Sequence, residues 1–265
     1  MPEGDVVWYT ARRLHEALAG RVLTRSDFRV PRFATVSLAG QLVTEAVPRG
    51  KHLLIRTGKG LTVHTHLKME GSWRIRPAAE KTAGSHKIRL LLANAEWQAV
   101  GYQLGITEVL PTSREGTVVG HLGPDLLDPD WDDDHLAEAI RRLSAQQDRP
   151  VGEALLDQRN LAGIGNLYKS EVLFLRGVSP WRATGTLTTE GLEATVTLAR
   201  RLLDANKARV GQITTGDSGR GKAGGTWVYG RRGAPCRRCG TPVRKKQDDN
   251  ERITFWCPSC QPERP

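Results

Sequence analysis

The chain has 265 residues, 38% of them hydrophobic, and carries 39 Lys and Arg against 29 Asp and Glu, giving a net charge of +10 and an isoelectric point near 9.8. No apolar run reaches the length that spans a bilayer, and the length suits about two domains with real cores plus a small appendage. The charge points to a polyanionic partner. No basic amphipathic helix with an aromatic face stands out, so nucleic acid is expected rather than a membrane surface.

In chain order, residues 5–18 space Val7, Ala11, Leu14 and Leu18 for one face of a helix, and Gly20 ends it. Short alternating strands follow at 51–56, 61–67, 72–76, 87–92 and 96–102, the first two joined through Thr57-Gly58-Lys59-Gly60. This pattern is a β-sandwich or barrel with one helix ahead of it. Asp125, Asp128, Asp130, Asp132, Asp133 and Asp134 then crowd around Pro124 and Pro129, which reads as a solvated linker facing away from the partner. Beyond it the period becomes helical around 136–143, 151–156, 167–175 and 192–203, with no internal repeat. Gly163 and Gly165 permit a tight turn before Asn166 opens a helix. That joint is either a phosphate cradle of helix-start amides or an ordinary helix–turn–helix packing joint. A glycine-rich stretch at 216–225 imitates a phosphate loop, but Ala223 replaces the hydroxyl residue that would hold magnesium, and no strand-to-helix context surrounds it.

All four cysteines lie near the C-terminus as Cys236-x-x-Cys239 and Cys257-x-x-Cys260. Two such knuckles around a predicted hairpin fit a closed, structural four-thiolate zinc site better than a pair of disulfides. A reducing compartment is the expected setting, since the N-terminus has no signal-peptide pattern. Arg231, Arg232, Arg237, Arg238, Arg244, Lys245, Lys246 and Arg252 surround the knuckles, so the finger is expected to press on phosphate. His64 and His66 share a strand face but lack a third ligand, and packed or hydrogen-bonded histidines are the expected outcome.

Four segments together resemble the formamidopyrimidine-DNA glycosylase and endonuclease VIII family. They are Pro2-Glu3-Gly4, Arg49-Gly50-Lys51, the run LDQRNLAGIGNLYKSEVLF at 156–174, and the finger preceded by Val228-Tyr229-Gly230-Arg231. They occur in the family's order and cover the chain nearly end to end. The resemblance implies an α+β architecture: an N-terminal β-sandwich with a leading helix at 1–123, a hinge at 124–134, a helical helix–two-turn–helix domain at 135–226, and a four-cysteine zinc finger at 227–265. DNA is expected in the cleft between the domains.

The resemblance further implies a bifunctional DNA glycosylase and abasic-site lyase of base excision repair. Pro2 would be the nucleophile once Met1 is removed, since an α-amine has an ordinary pKa of about 7.7–8.0 and a neutral fraction near neutral pH. Glu3 would protonate the deoxyribose ring oxygen, which requires a desolvated carboxyl. Lys51, Asn166 and Arg252 would hold phosphates, and the acidic Asp248 and Asp249 would turn away from DNA. Met69, Tyr102 and Leu104 are candidates to fill the space that an everted nucleotide leaves, with ordinary packing as the alternative for each. The Pro2-Glu3-Gly4-Asp5 start favours the endonuclease VIII branch and oxidised pyrimidines, with oxidised purines second. One structural zinc ion, damaged DNA as partner, a monomer, no membrane association and a cytoplasmic, nucleoid-associated location complete the expectation. A non-catalytic DNA-binding protein on the same scaffold is the rival from another class.

Overall fold

The computed structural model describes residues 2–216, 225–247 and 253–263. Two units divide the chain, one ending at His121 and the other starting at Leu122.

The first unit opens with α1 (Gly4–Leu18), whose Val7, Ala11, Leu14 and Leu18 are buried as their spacing dictates. Eight strands follow: β1 (Arg25–Phe28), β2 (Val43–Arg49), β3 (His52–Thr57), β4 (Leu61–His66), β5 (Ser72–Pro77), β6 (Ile88–Ala93), β7 (Trp97–Tyr102) and β8 (Ile106–Pro111). They form two antiparallel four-stranded sheets, ordered β1-β6-β7-β5 and β2-β3-β4-β8. Inward residues of both sheets, such as Leu53, Ile55, Val63, Leu90 and Leu92, close one core with α1. This is the expected sandwich. β1, β2 and β8 lie outside the sequence expectation, and all three are edge strands. Pro48 sits within β2, opposite Leu53, where an edge position spares it a ladder donor.

A short helix α2 (Gly116–Val119) precedes the boundary, and the second unit holds α3 (Asp133–Ser144), α4 (Val151–Leu156), α5 (Asn166–Arg176), α6 (Thr189–Asn206) and the hairpin β9 (Arg244–Gln247) and β10 (Ile253–Trp256). The acidic segment ahead of α3 departs from its expected solvated linker at its start only, since Asp130, Asp132, Asp133 and Asp134 are exposed. Residues 122–127 are buried, and Asp125 forms a parallel bridge with Ala162. Asp132 instead caps α3 by accepting the His135 amide at 3.0 Å, with Asp133 and Asp134 in the first turn. Carboxylates at a helix start satisfy its amides and its dipole, which explains the acidic run without a linker.

The finger shares a core with the helices. Phe174 of α5 packs with Val228, Val243, Cys236 and Cys257. Glu171, fully buried on α5, accepts the backbone amides of Trp227 (2.7 Å), Val228 (2.9 Å) and Tyr229 (2.8 Å) and the hydroxyl of Thr214. One carboxylate therefore fixes where the finger departs from the helical domain. Glu171→Gln, which places an amide N–H against amide N–H, is expected to lower stability by about 3 kcal/mol, the scale of hydrogen bonds to a buried charge. Denaturant unfolding checks this, and an unchanged midpoint would rule out the proposed clamp.

Candidate active site and nucleic-acid interface

α1 runs opposite to β2. The Gly20 amide reaches Val43 O at 2.9 Å, and the Ala46 amide reaches His15 Nδ1 at 3.3 Å. Going back along the helix thus means going forward along the strand, so Pro2 and Glu3 lie toward the end of the sandwich where β2 turns into β3. That turn carries Lys51. Arg49 pairs with His52, leaving Gly50-Lys51 as a two-residue loop, and Gly50 adopts φ 56°, a value its neighbours' side chains would resist. Glu3 is fully buried at the N-cap of α1, and Pro2 is half-buried.

His52 pairs with His66 across β3 and β4, which brings the following turn to the same end. The turn is closed by the Gly71 amide on Leu67 O (2.9 Å), and Met69 at its tip is 66% exposed. Lys68 there takes φ 52°. The β7–β8 connection meets it, the Gly105 amide bonding His66 O at 2.9 Å. A Cβ on Gly105 would stand 2.2 Å from Lys68 Cγ, so only glycine lets the two turns approach this closely. Gln103, at φ 47°, donates from Nε2 to Glu70 Oε2 at 2.7 Å and ties the turns together.

Tyr102 is half-buried beneath the Arg74 guanidinium, 5.0 Å from its ring centroid. Leu104 is 6% exposed and belongs to the sandwich core, its Cδ1 pressed toward Gly101. This corrects its reading as a wedge: the β7–β8 connection passes from one sheet to the other, and Leu104 within it joins the apolar core between them. Leu104→Ala is therefore expected to cost about 3 kcal/mol of stability, whereas Met69→Ala should change it by less than about 0.5 kcal/mol. Thermal melting of the two variants tests the contrast, and a silent Leu104→Ala would restore the wedge.

A histidine array lies behind Lys51. Glu108 Oε1 meets His64 Nδ1 at 2.6 Å, and His64 Nε2 meets His52 Nδ1 at 2.7 Å. With Glu108 as acceptor, neutral His64 carries its proton on Nδ1, so His52 donates to it and keeps an open lone pair on Nε2. His66 Nδ1 accepts the Lys68 amide at 2.9 Å, which leaves its Nε2–H as a donor. Burial, then His66, His64, His121 and Lys68, hold the His52 pKa down at about 3, and burial with Lys68 and Lys51 holds His66 at about 4. Both rings are thus neutral at physiological pH. The unfolded chain binds these protons near 6.5, so stability present above that value is lost as pH falls toward about 3. Denaturant midpoints should drop between about pH 7 and pH 5, and His52→Phe should shrink that drop; an equal drop in the variant would exclude His52 as its source.

In the second unit, Asn166 begins α5, and the Lys169 amide makes the first intrahelical bond to Gly165 O at 2.9 Å. Asn166 is 8% exposed, and its Nδ2 donates to Ile253 O of β10 at 2.5 Å. The helix start and the finger hairpin are therefore joined at the residue expected to hold phosphate. Arg252, Asp248 and Asp249 lie outside the described residues, as do residues 217–224 of the glycine-rich stretch.

The four cysteine sulfurs all lie within 4.8 Å of one another, and none forms a disulfide. Cys236 and Cys260 sulfurs are 3.9 Å apart and those of Cys239 and Cys257 3.5 Å. A tetrahedron with Zn–S bonds of about 2.3 Å has edges of about 3.8 Å, so this donor set fits zinc. Among the described residues no other group of three or more ligating side chains comes close enough to share an ion, so the histidines are hydrogen-bonded and packed. No helix among the described residues is long and apolar enough to cross a membrane.

Two family models match, the formamidopyrimidine-DNA glycosylase N-terminal domain over residues 1–102 and the formamidopyrimidine-DNA glycosylase H2TH domain over 122–217. A probable endonuclease 8 2 of Streptomyces coelicolor is 54% identical over 98% of this chain and 94% of its own. The chain belongs to the formamidopyrimidine-DNA glycosylase and endonuclease VIII family. Within that family it lies on the endonuclease VIII branch, being also 48% identical to the DNA-(apurinic or apyrimidinic site) lyase Nei2 of Mycolicibacterium smegmatis over 98% of this chain and 99% of the relative. A solved complex of Lactococcus lactis formamidopyrimidine-DNA glycosylase with N7-benzyl-Fapy-dG DNA has the same fold, at a TM-score of 0.81 and 24% identity over 98% of this chain and 100% of that one. The family's N-terminal model spans Pro2, Glu3, Lys51, Met69 and Tyr102, its H2TH model spans Asn166, and the four cysteines lie beyond both.

Glu171, Gln103 and the Glu108–His64–His52 chain were missed from sequence. Glu171 stood inside the motif as an unremarkable helical residue. The histidine chain needs the β3–β4–β8 register to bring positions 52, 64 and 108 together.

Proposed function

We propose that the protein is a DNA glycosylase and abasic-site lyase of base excision repair, acting on oxidised pyrimidines through a covalent iminium formed by Pro2. The observation that carries this reading is Glu3, buried beside the N-terminal imino acid at the end of the sandwich that also bears Lys51 and His66. Burial keeps the Glu3 carboxyl out of bulk water, the setting in which a carboxyl can serve as a general acid.

With Met1 removed, the neutral Pro2 nitrogen attacks C1′ of an everted nucleoside. The C1′–base bond breaks, and the base leaves with the electron pair. The departing base takes up the proton that the Pro2 nitrogen sheds, Glu3 gives its own proton to O4′ as the C1′–O4′ bond breaks and the sugar opens, and the lone pair regained by nitrogen completes the iminium. A secondary amine makes an iminium that is cationic without a further proton. It therefore draws electrons from C2′, whose proton departs as the C3′–O bond breaks and releases the 3′ phosphate. A second elimination then releases the 5′ phosphate, and water frees Pro2.

Lys51, the α5 start at Asn166 and Arg252 are assigned to the phosphates around the everted nucleotide. Met69, with Tyr102 behind it, is assigned to the vacated space. The four-cysteine site would hold one zinc ion, which supplies no chemistry to the reaction and keeps the hairpin folded. A monomer at work on cellular DNA in the cytoplasm is the simplest setting, and affinity should fall steeply with salt.

Borohydride trapping on a panel of oligonucleotides tests the reading. Oxidised pyrimidines should yield more covalent adduct than 8-oxoguanine or formamidopyrimidine. The reverse order would favour oxidised purines, and no adduct even on a preformed abasic site would leave a DNA-binding protein without lyase chemistry.

A further inference from the structure

The elimination frees a proton from C2′, and the Glu108–His64–His52 chain offers that proton a route out. The chain lies on the face of β3, β4 and β8 opposite the core residues Leu53, Ile55 and Val63. His64 and Glu108 are direct partners across β4 and β8. His52 stands one diagonal step from His64, two residues before the Leu54 that pairs with it. The links are accordingly short: 2.7 Å from His52 Nδ1 to His64 Nε2, and 2.6 Å from His64 Nδ1 to Glu108 Oε1.

An imidazole that takes a proton on one nitrogen while yielding another from its second nitrogen ends neutral, so a row of such rings conducts protons without storing charge. His64 commits both nitrogens to the chain and is 2% exposed. Glu108 ends the chain with 28% of its side chain exposed, enough to hand a proton to water. At the other end His52 directly follows Lys51. It is half-buried, with Nε2 across the ring from the nitrogen that buried His64 engages. His66 stands edge-on to this ring, 4.9 Å between centroids, and His121 does so at 6.2 Å. Burial first, then His66, His64, His121 and Lys68, keep His52 neutral, while burial, Lys68 and Lys51 do the same for His66. Glu115 is the other carboxylate that interacts with His64. A ring that resists a lasting charge suits a conduit better than a store.

We propose that His52 takes the C2′ proton during elimination and that His64 and Glu108 carry it to solvent. The C2′–H bond breaks toward His52 Nε2. Its electron pair becomes the second C2′–C3′ bond, and the C3′–O pair leaves with the 3′ phosphate. The proton on His52 Nδ1 moves to His64 Nε2, the one on His64 Nδ1 moves to Glu108 Oε1, and water removes it from there. One proton travels, and neither ring is left charged. The inference rests on the Pro2 reading, since it assigns a proton that the iminium releases.

Single-turnover cleavage of preformed abasic-site DNA by the full, zinc-loaded chain tests it, with the borohydride adduct measured in parallel. His52→Ala should leave the adduct near the parent's yield and slow strand cleavage by about 10²-fold, the lower end of what a positioned base contributes. Added imidazole should restore cleavage in proportion to its neutral form. 1,2,4-Triazole, of the same shape but a far weaker base, should not. Glu108→Gln keeps an acceptor for His64 Nδ1 but cannot hold the proton, and should slow cleavage by about tenfold. Equal rescue by both azoles would mean that they merely fill a hole. That result, or cleavage at the parent's rate in either variant, overturns the relay and leaves the adduct chemistry standing. Should His52→Ala melt too low to assay, Glu108→Gln decides. A parent chain that forms no adduct defeats the Pro2 reading itself and removes the relay with it.

Discussion

A chain with one extra residue ahead of Pro2 is expected to bind abasic-site DNA normally and to give no borohydride adduct. The extension converts the secondary amine into a tertiary amide, whose nitrogen lone pair is delocalised into the carbonyl and can no longer attack C1′. The new terminal amine lies a full residue away. Geometry as well as basicity is therefore lost, and losses of about 10³-fold or more follow when a covalent nucleophile is disabled. Glu3→Gln should divide the two activities. Its amide cannot deliver a proton to O4′, so an intact damaged nucleoside should suffer most, while a preformed abasic site, already able to ring-open in water, should still be trapped. An adduct undiminished by the extension would transfer the nucleophile's role elsewhere, with Lys51 the first residue to substitute.

Cys257→Ser is expected to remove the metal and most DNA affinity in one step. Cys257 is fully buried, and its sulfur faces that of Cys239 at 3.5 Å within the apolar cluster of Phe174, Val228 and Val243. A hydroxyl there is a poor zinc ligand and an unpaired polar group among hydrocarbon, so both consequences point the same way. Structural zinc in small fingers contributes roughly 10–16 kcal/mol of apparent binding energy, which is folding energy for the hairpin it closes. Because β10 receives the Asn166 side chain, the helix start should loosen with the finger. Metal analysis of the purified protein should give one zinc per chain for the parent and none for the variant. Two intact disulfides and no metal in the parent would return the cysteines to the reading that spacing alone disfavoured.

Most strands legible in the sequence were those whose alternation is enforced by a neighbour on each side, β3, β4, β6 and β7, and the edge strand β5 was the exception. The other three edge strands escape because half their backbone faces no ladder. β2 tolerates Pro48, β1 is four residues long, and β8 is half-exposed along most of its length. The N-terminal pair Pro2-Glu3, the Lys51 turn and the cysteine knuckles were readable because short local motifs carry them. Leu104 was misjudged for the converse reason. Whether a residue at a turn points out or in depends on backbone angles such as φ 47° at Gln103, which composition does not announce. The start of the acidic run misled similarly, since Asp132 as an exposed cap and Asp125 in a buried bridge look alike in one dimension.

The carboxylate of Glu171 also bears on how such a finger could be exchanged between proteins. Three consecutive peptide protons at 227–229 end on that one side chain, which belongs to the helical neighbour rather than to the metal loop. A graft of the thiolate hairpin alone would carry its ion and leave its stem untethered. A portable unit has to begin at α5.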